Sequence, residues 1–452
     1  MKEQNRTICC IAKGNHLIKP VCGIRFRKSQ KALLYLYDFM KMYMEKKLYP
    51  LKFHPIAAKK PWGGSALVDG LRKKFVECDD DGNESTLGTD VQIGESWELA
   101  DMGLQDSVVA NGWLAGNTIS EVMETYLERI VGEKVYNYYG RQFPVLIKFL
   151  DIQNKLSVQV HPDDEIAAER YDSLGKAEIW YVMDAQPGAK IYCGFSRSVS
   201  AQEFYERCKN EIVTEILNVI YPKKGDVIYM SPGTVHAADG GLLIAEIQES
   251  SDLTFRLYDW GLEHDPATAR PIHLEEAIDM IDYAAFDQSL YRKGPLWGDE
   301  AVHEHGTVDS LLEIPQFNVS KVKLTDPLHI YTDQFESYIV YVCIEGSASI
   351  QVPATKENGE AYMENYEFAE GETILIPAEM SDFYLVPRDR ATVLLEVVTR
   401  PEDEIDEYID PETEAFLENE DYEGLEDGAF DDDDDDDIPS ASAATSPLKY
   451  FS

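Results

Sequence analysis

The chain has 452 residues, 44% of them hydrophobic, enough to bury a sizeable core in two or three domains. Its most apolar stretches, Leu242 to Ile247 and Tyr338 to Ile344, have the length of strands, and no uncharged apolar run approaches the roughly 18 residues of a membrane helix. The formal charge of −42 argues against nucleic-acid binding but not against a phosphorylated ligand, because physiological salt screens distant charge beyond about 8 Å.

Seven cysteines (Cys9, Cys10, Cys22, Cys78, Cys193, Cys208, Cys343) are scattered, odd in number and without CxxC spacing. That pattern suits a reducing, cytoplasmic setting and opposes both a disulfide framework and a thiolate metal site.

In chain order, residues 1–48 form a basic extension whose apolar runs are broken by Lys, Arg and Gly, a poor secretory signal and a dispensable segment. Organised sequence begins at Tyr49-Pro50-Leu51. Short strand and turn signals lead to Ser120–Tyr139, where Ile119, Val122, Met123, Tyr126, Leu127, Ile130 and Val131 recur at helical spacing and predict one amphipathic helix. A dense β region follows from Val145 to Glu249, interrupted by a predicted helix over Ala201–Asn218. Pro271-Ile272-His273 then enters a predicted helix, Leu274–Ile281, before a second β-rich segment from Ile314 to Thr399.

The two β segments resemble each other. Lys224 to Pro232 opens a strand, turns at Pro232-Gly233 and delivers His236; Glu370 to Pro377 does the same and delivers Ser381 and Asp382. A barrel repeated with its metal ligand absent from one copy accounts for this. Beyond Pro401 the chain carries 21 carboxylates up to Asp437 and no Lys or Arg, ending in seven consecutive aspartates, which predicts a disordered acidic tail.

The chemistry concentrates in Leu156-Ser157-Val158-Gln159-Val160-His161. Strand alternation places Gln159 and His161 on one face. Lys176 and Glu178 share a face of a later strand by the same rule, and His236 follows the Pro232-Gly233 turn. Two imidazoles, a carboxylate and an amide oxygen from separate strands suit zinc with a coordination position left for water or substrate. Isolated histidines are more often hydrogen-bonded structural residues, the reading given to His264, His273, His303, His305 and His329.

Seven segments in order resemble the type I mannose-6-phosphate isomerases, especially their compact bacterial form. They are Lys60-Pro61-Trp62-Gly63-Gly64, Gly94-Glu95-Ser96-Trp97-Glu98, Phe143 to Asp151, Ser157 to Asp164, Gly175 to Tyr181, Pro232 to Ala237, and Ser251 to Trp260. The resemblance covers roughly residues 49–400. It implies a mainly β protein with a catalytic cupin barrel (a jelly-roll-like double-stranded β-helix) over 49–270. A helix and a degenerate cupin-like barrel would follow over 271–400; the basic leader and the acidic tail over 401–452 depart from the family's pattern.

The resemblance further implies one zinc ion held by Gln159, His161, Glu178 and His236, an active-site Arg256, and an active-site Lys176. The implied reaction interconverts mannose 6-phosphate and fructose 6-phosphate through an enediol. Arg256 then suits the enediolate or the phosphate, with an ion pair to Asp252 or Asp259 as the structural alternative. Lys176 suits general acid or base catalysis, with a salt bridge to Glu178 as its alternative. Glu95 and Lys148 are expected to line the substrate cavity, Lys148 either at phosphate or in a buried ion pair. Trp62, Trp97 and Trp180 suit sugar stacking or simple core packing.

The expected partner is a small sugar phosphate, without nucleic acid or membrane, in a monomer or weak homodimer. Two other classes stay open at this level: an Fe(II)-dependent cupin oxygenase, which uses a similar His and carboxylate set, and a non-catalytic sugar-phosphate-binding protein.

Overall fold

Strands of two to nine residues, many rich in aromatic and β-branched side chains that pack well on a pleated surface, make up most of the regular structure among the described residues. The computed structural model describes residues 46–401 except 79–83, 89, 268, 294–300, 304–305, 334–335, 357 and 391, and also Tyr450–Phe451. The basic leader before residue 46, Cys9, Cys10, Cys22, His305 and the acidic tail from 402 to 449 lie outside the described residues, as do the side chains of Cys78 and His303.

Twelve strands build the first unit: β1 (Ile56–Ala58), β2 (Glu95–Leu99), β3 (Val145–Ile152), β4 (Leu156–Val160), β5 (Glu178–Ala185), β6 (Lys190–Phe195), β7 (Leu217–Ile220), β8 (Val227–Met230), β9 (His236–Asp239), β10 (Leu242–Glu249), β11 (Phe255–Tyr258) and β12 (Tyr291–Arg292). They pair as a seven-stranded sheet, β1-β2-β3-β10-β5-β8-β12, and a five-stranded sheet, β11-β4-β9-β6-β7. Between the sheets, Leu150, Trp180, Val182, Ile228, Met230 and Ile244 meet Leu156, Ile191, Cys193, Ile220 and Ala238. This is the expected jelly-roll-like, mainly β architecture, realised as two facing sheets.

The other face of the long sheet is also buried. Val145, Ile147, Phe149, Ile179, Ala245 and Ile247 share a core with Val319, Val340, Val342, Leu395 and Val397 of the second unit. Burial on both faces explains why β3 reads as a nearly continuous apolar run.

The second unit repeats the plan. A six-stranded sheet runs in the order Ala301–His303, Gly306–Glu313, Asn318–Leu324, Thr392–Val398, Ile339–Glu345 and Thr373–Ile376. A five-stranded sheet orders Ala361–Ala369, Ser347–Thr355, Asp382–Pro387, Leu328–Tyr331 and Tyr450–Phe451. Thr373–Ile376 and the strand opening at Asp382 occupy the places of β8 and β9, as the internal repeat implies. Among the described residues the His/Glu cluster that could hold a metal lies in the first unit.

The helical expectations need correction. Ser120–Tyr139 is not one helix but three short ones, Ile119–Tyr126, Glu128–Val131 and Glu133–Tyr139. Positive φ at Leu127 (47°) and Gly132 (97°) breaks them, although the expected apolar face is buried. The helix expected over Ala201–Asn218 stops at Lys209, since Glu211 takes φ 60°, and Leu217 and Asn218 belong to β7. Its later apolar residues imitated helical spacing while serving a 3-10 turn and a strand. The helix expected over Leu274–Ile281 is one turn, Leu274–Ala277. An unanticipated helix, Asp164–Tyr171, follows His161-Pro162 and is capped by the Asp163 side chain, which accepts from the Ile166 amide at 2.9 Å.

A buried ion pair ties the units together. Lys73 Nζ donates to Glu98 Oε1 at 2.6 Å and to the Gly371 carbonyl of the second unit. Removing one partner of such a pair strands the other charge in the core. Glu98→Ala is therefore expected to cost about 3–5 kcal/mol in denaturant unfolding, whereas a loss under about 1 kcal/mol would mean the pair is not buried as described.

Candidate metal centre and active-site cavity

Strands β4, β5 and β9 converge their polar side chains at one end of the first unit. Antiparallel register pairs His236 with Gln159 and puts Glu178 on the facing sheet. His161 follows the end of β4. Exposure is 9% for Gln159, 2% for His161, and 0% for both Glu178 and His236.

Ligand-type atoms of His161, Glu178 and His236 all lie within 4.8 Å of one another. His236 Nε2 is 3.2 Å from Glu178 Oε1, and His161 Nε2 is 3.5 Å from Glu178 Oε2. Ligands about 2.1 Å from a tetrahedral ion sit about 3.4 Å apart, so this spacing fits a small divalent cation.

The hydrogen bonds around the rings point the same way. His161 Nδ1 donates to the Leu253 carbonyl at 2.8 Å and His236 Nδ1 to the Thr234 carbonyl at 2.9 Å. That fixes both tautomers with a lone pair on Nε2 aimed at the cluster, the usual support for metal-binding histidines. Glu178 Oε1, fully buried, has no hydrogen-bond partner. A buried carboxylate oxygen facing an imidazole lone pair calls for a cation.

Gln159 joins the cluster through its amide nitrogen, which donates to His236 Nε2 at 3.1 Å. Its oxygen accepts from Ser157 Oγ at 3.3 Å, so presenting that oxygen as a ligand requires the amide group to turn over.

Lys176 is buried within this cluster, donating to Glu178 Oε2 at 2.9 Å and to His161 Nε2 at 3.0 Å. The salt bridge that stood as its alternative is thus present. Burial pushes the Glu178 carboxyl up, but Lys176 and His236 outweigh it and hold the group below the usual carboxylate range. Burial, then Lys176 and His236, hold His161 well below the ordinary imidazole value, and burial lowers His236 against the pull of Glu178.

A cavity of about 310 Å³ opens beside the cluster, lined in part by Gln159, Lys176, Lys148, Glu95 and Arg256. Of the two alternatives for Lys148, the geometry gives the ion pair: its Nζ lies 3.1 Å from Glu246 Oε1 and donates to Gln248 Oε1 at 2.6 Å. Glu95 pairs with Lys60 at 3.1 Å and accepts from Trp97 Nε1 at 2.7 Å. Burial opposes ionisation of Glu95, yet Lys148 and Lys60 keep it below the usual range. Trp62, Trp97 and Trp180 line the same cavity while being buried, and Trp180 Nε1 donates to Glu246 Oε2 at 2.8 Å.

Arg256 has a different environment. Its Nη1 donates to the Pro271 carbonyl at 3.0 Å, and its buried Nε has no partner. Asp259, one of the two carboxylates weighed for it, is taken by Arg270, whose Nε donates to Asp259 Oδ2 at 2.8 Å. Burial and the Arg270 charge both act against the Arg256 cation, with partial relief from Asp259. The sequence reading missed Arg270, Glu246 and the lining role of Lys60. Glu246 had a usable signal, lying opposite Lys148 in the β3–β10 register, whereas Arg270 sits in an irregular segment with no periodicity.

Because both imidazoles stay neutral below the ordinary value of about 6.5, protons are poor competitors for the cluster in mild acid. Metal content after dialysis is expected to be equal at about pH 7.5 and pH 6. Half-loss already at about pH 6.5 would contradict the ring environments described.

Comparison with known proteins agrees with this geometry. Residues 51–192 match the family described as phosphomannose isomerase type I, catalytic domain. The mannose-6-phosphate isomerase ManA of Bacillus subtilis is 30% identical over 344 residues, spanning 74% of this chain and 95% of the relative. A crystal structure of the mannose 6-phosphate isomerase from Bacillus subtilis superposes with a TM-score of 0.63 at 27% identity, covering 77% of this chain and 99% of that one. A mannose 6-phosphate isomerase structure bound with zinc and yttrium shares the fold, with a TM-score of 0.57 at 15% identity over 78% of this chain and 100% of that one. The sequence likeness runs through the cluster and nearly the whole length of the relative, and the chain belongs to the type I mannose-6-phosphate isomerase family.

Proposed function

We propose that the chain interconverts mannose 6-phosphate and fructose 6-phosphate, using one zinc ion held by Gln159, His161, Glu178 and His236. The observation that carries this reading is the cavity's charge pattern beside the His161–Glu178–His236 cluster. Lys60, Lys148 and Lys176 each lie within 3.1 Å of a glutamate oxygen. Arg256 alone among these lining cations has no carboxylate partner among the described residues and keeps an unsatisfied buried Nε. An unneutralised guanidinium beside a metal-type cluster suits a substrate that develops negative charge on adjacent oxygens, as an aldose–ketose conversion does.

Bound zinc would supply Lewis-acid polarisation and a template for the oxygens on C1 and C2. Arg256, directly opposite Gln159 in the β11–β4 register, stabilises the enediolate that forms when a proton leaves C2. Lys176 is the proton carrier we assign: its Nζ pairs with Glu178, and the His161 Nε2 lone pair that it also meets would pass to the metal. Lys148 and Glu95, fixed by Glu246 and Lys60, meet the sugar hydroxyls.

Catalysis belongs to the first unit, in which β12 (Tyr291–Arg292) lies beyond the expected 49–270 span, and the second unit supports its long sheet from behind. No helix among the described residues is long and apolar enough to cross a membrane; the scattered cysteines favour a reducing, cytoplasmic setting, and we take the enzyme as a monomer or weak homodimer. The oxygenase alternative lacks an observation in its favour, since Lys176 and Arg256 have no evident task in it.

A coupled assay of mannose 6-phosphate turnover tests the reading directly. Activity is expected to vanish with a chelator and return with zinc. Arg256→Ala is expected to lower kcat by about 100-fold or more with zinc content intact. Unchanged turnover in that variant would remove Arg256 from the chemistry, and absence of turnover in the zinc-loaded wild type would defeat the isomerase reading.

A further inference from the structure

Glu249, the last residue of β10, is 1% exposed, stands behind the residues that line the cavity and has no part in the proposed chemistry. Its Oε2 accepts from the Ala177 amide at 2.7 Å, and its own amide donates to the Ala177 carbonyl at 3.2 Å. Oε1 is buried and receives no hydrogen bond. The Glu249 carboxyl meets that of Asp164, at the start of the Asp164–Tyr171 helix. Both Asp164 oxygens already accept hydrogen bonds, Oδ1 from the Gly175 amide at 2.9 Å and Oδ2 from Gln316 Nε2 of the second unit at 2.8 Å.

Two carboxyl groups in contact, one of them fully buried, do not both carry charge, so one proton lies between them. Asp164 spends its oxygens as acceptors, and Oε1 of Glu249 is the oxygen left for the proton. Burial and then the Asp164 charge push the Glu249 carboxyl well above the usual carboxylate range, against the Ala177 amide, which lowers it. The other titratable groups turned toward Glu249 are phenols, Tyr138 and Tyr139 of the Glu133–Tyr139 helix and Tyr229 of β8, and they supply no positive charge.

The pair holds the segment that leads into β5. Three consecutive amides are fixed there: Gly175 by Asp164 Oδ1, Lys176 by the Pro162 carbonyl at 3.0 Å, and Ala177 by Glu249 Oε2. At Gly175 the backbones come so close that a Cβ would stand 2.6 Å from the Asp164 nitrogen. Lys176 thus leaves a backbone gripped from the helix after His161 and from the end of β10, before its Nζ reaches Glu178 and His161. A reacting group displaced by about 1 Å loses on the order of 100-fold in rate.

We propose that Glu249 is a positioning residue: as a neutral acid it donates Oε1–H to Asp164 while Oε2 holds the Ala177 amide, and this clamp sets Lys176 for proton transfer. This rests on the isomerase reading above. Glutamine reproduces both bonds without a titratable proton, its oxygen accepting from Ala177 and its nitrogen donating to Asp164.

The test uses the zinc-loaded full chain. Glu249→Gln is expected to keep kcat for mannose 6-phosphate within about 3-fold, and Glu249→Ala to lower kcat by about 10-fold or more, with KM within about 3-fold and zinc content unchanged. If the cavity left by alanine prevents folding, Glu249→Met fills it without either hydrogen bond and carries the same expectation. Urea unfolding reads the proton itself. A carboxyl raised in the folded state gives stability that is full below its unfolded value of about 4.3 and is lost as pH climbs toward the folded value. The urea midpoint of Glu249→Gln relative to wild type is therefore expected to climb between about pH 5 and pH 8.

A parallel pH dependence in the two proteins overturns the shared proton, and a kcat of Glu249→Gln as low as that of Glu249→Ala overturns the clamp. So does full activity in Glu249→Ala, or zinc loss in that variant, which would put the effect on Glu178 rather than Lys176. Any of these results alongside wild-type turnover sinks this assignment alone. Absence of turnover in the zinc-loaded wild type sinks the isomerase reading and the positioning of Lys176 with it, while the urea comparison still decides the proton.

Discussion

A carboxylate with no exposure, set between two imidazole lone pairs, is the constraint around which this protein is organised. Burying Glu178 without compensation would be prohibitive, and the backbone carbonyls of Leu253 and Thr234 forbid either ring from turning a proton toward it. Positive charge has to come from elsewhere: Lys176 supplies part of it, and the spacing of the cluster suits a small divalent cation. Everything that fixes β4, β5 and β9 relative to one another serves this arrangement. The two sheets face each other through Trp180, Ile228 and Ile191, so ligands from different sheets reach one point. The second unit backs the long sheet through Val340, Val342 and Leu395. The second unit, which shows no such cluster among the described residues, thus serves the site by packing.

The cavity follows the same logic. Lysines and glutamates alternate along its wall, half-buried Lys60 with Glu95, and buried Lys148 with Glu246 and Lys176 with Glu178. Such pairs contribute little net stability, because desolvation consumes most of the Coulombic gain. They do hold polar groups at fixed positions around a substrate, without reorganisation when charge develops. The arginines on the outer side differ, Arg270 being paired with a buried aspartate and Arg256 having no carboxylate partner among the described residues.

Much of this could be read from the residues. Alternation along Leu156 to His161 placed Gln159 and His161 together, and the ordered motifs brought in Glu178 and His236; the structure sets the ligand-type atoms of His161, Glu178 and His236 within 4.8 Å of one another. The repeat between Lys224–Pro232 and Glu370–Pro377 marked the two equivalent sheets. Local periodicity failed where backbone geometry intervenes. A left-handed Glu211 ends a helix that apolar spacing seemed to extend, and Leu127 and Gly132 divide another. Arg270 was invisible because its place depends on a tertiary contact with Asp259 across an irregular segment. The state of Lys148 was undecidable from sequence for a similar reason, since only the β3–β10 register brings Glu246 opposite it.

The proposed function depends above all on one zinc ion joining Gln159, His161, Glu178 and His236. Anomalous diffraction at the zinc edge, from crystals of protein purified without added metal, addresses it most directly. One strong peak within bonding distance of both Nε2 atoms and the Glu178 carboxylate, with the Gln159 oxygen turned toward it, is the result the account requires. A cluster without a peak in active crystals, or a peak bound by other side chains, would contradict it.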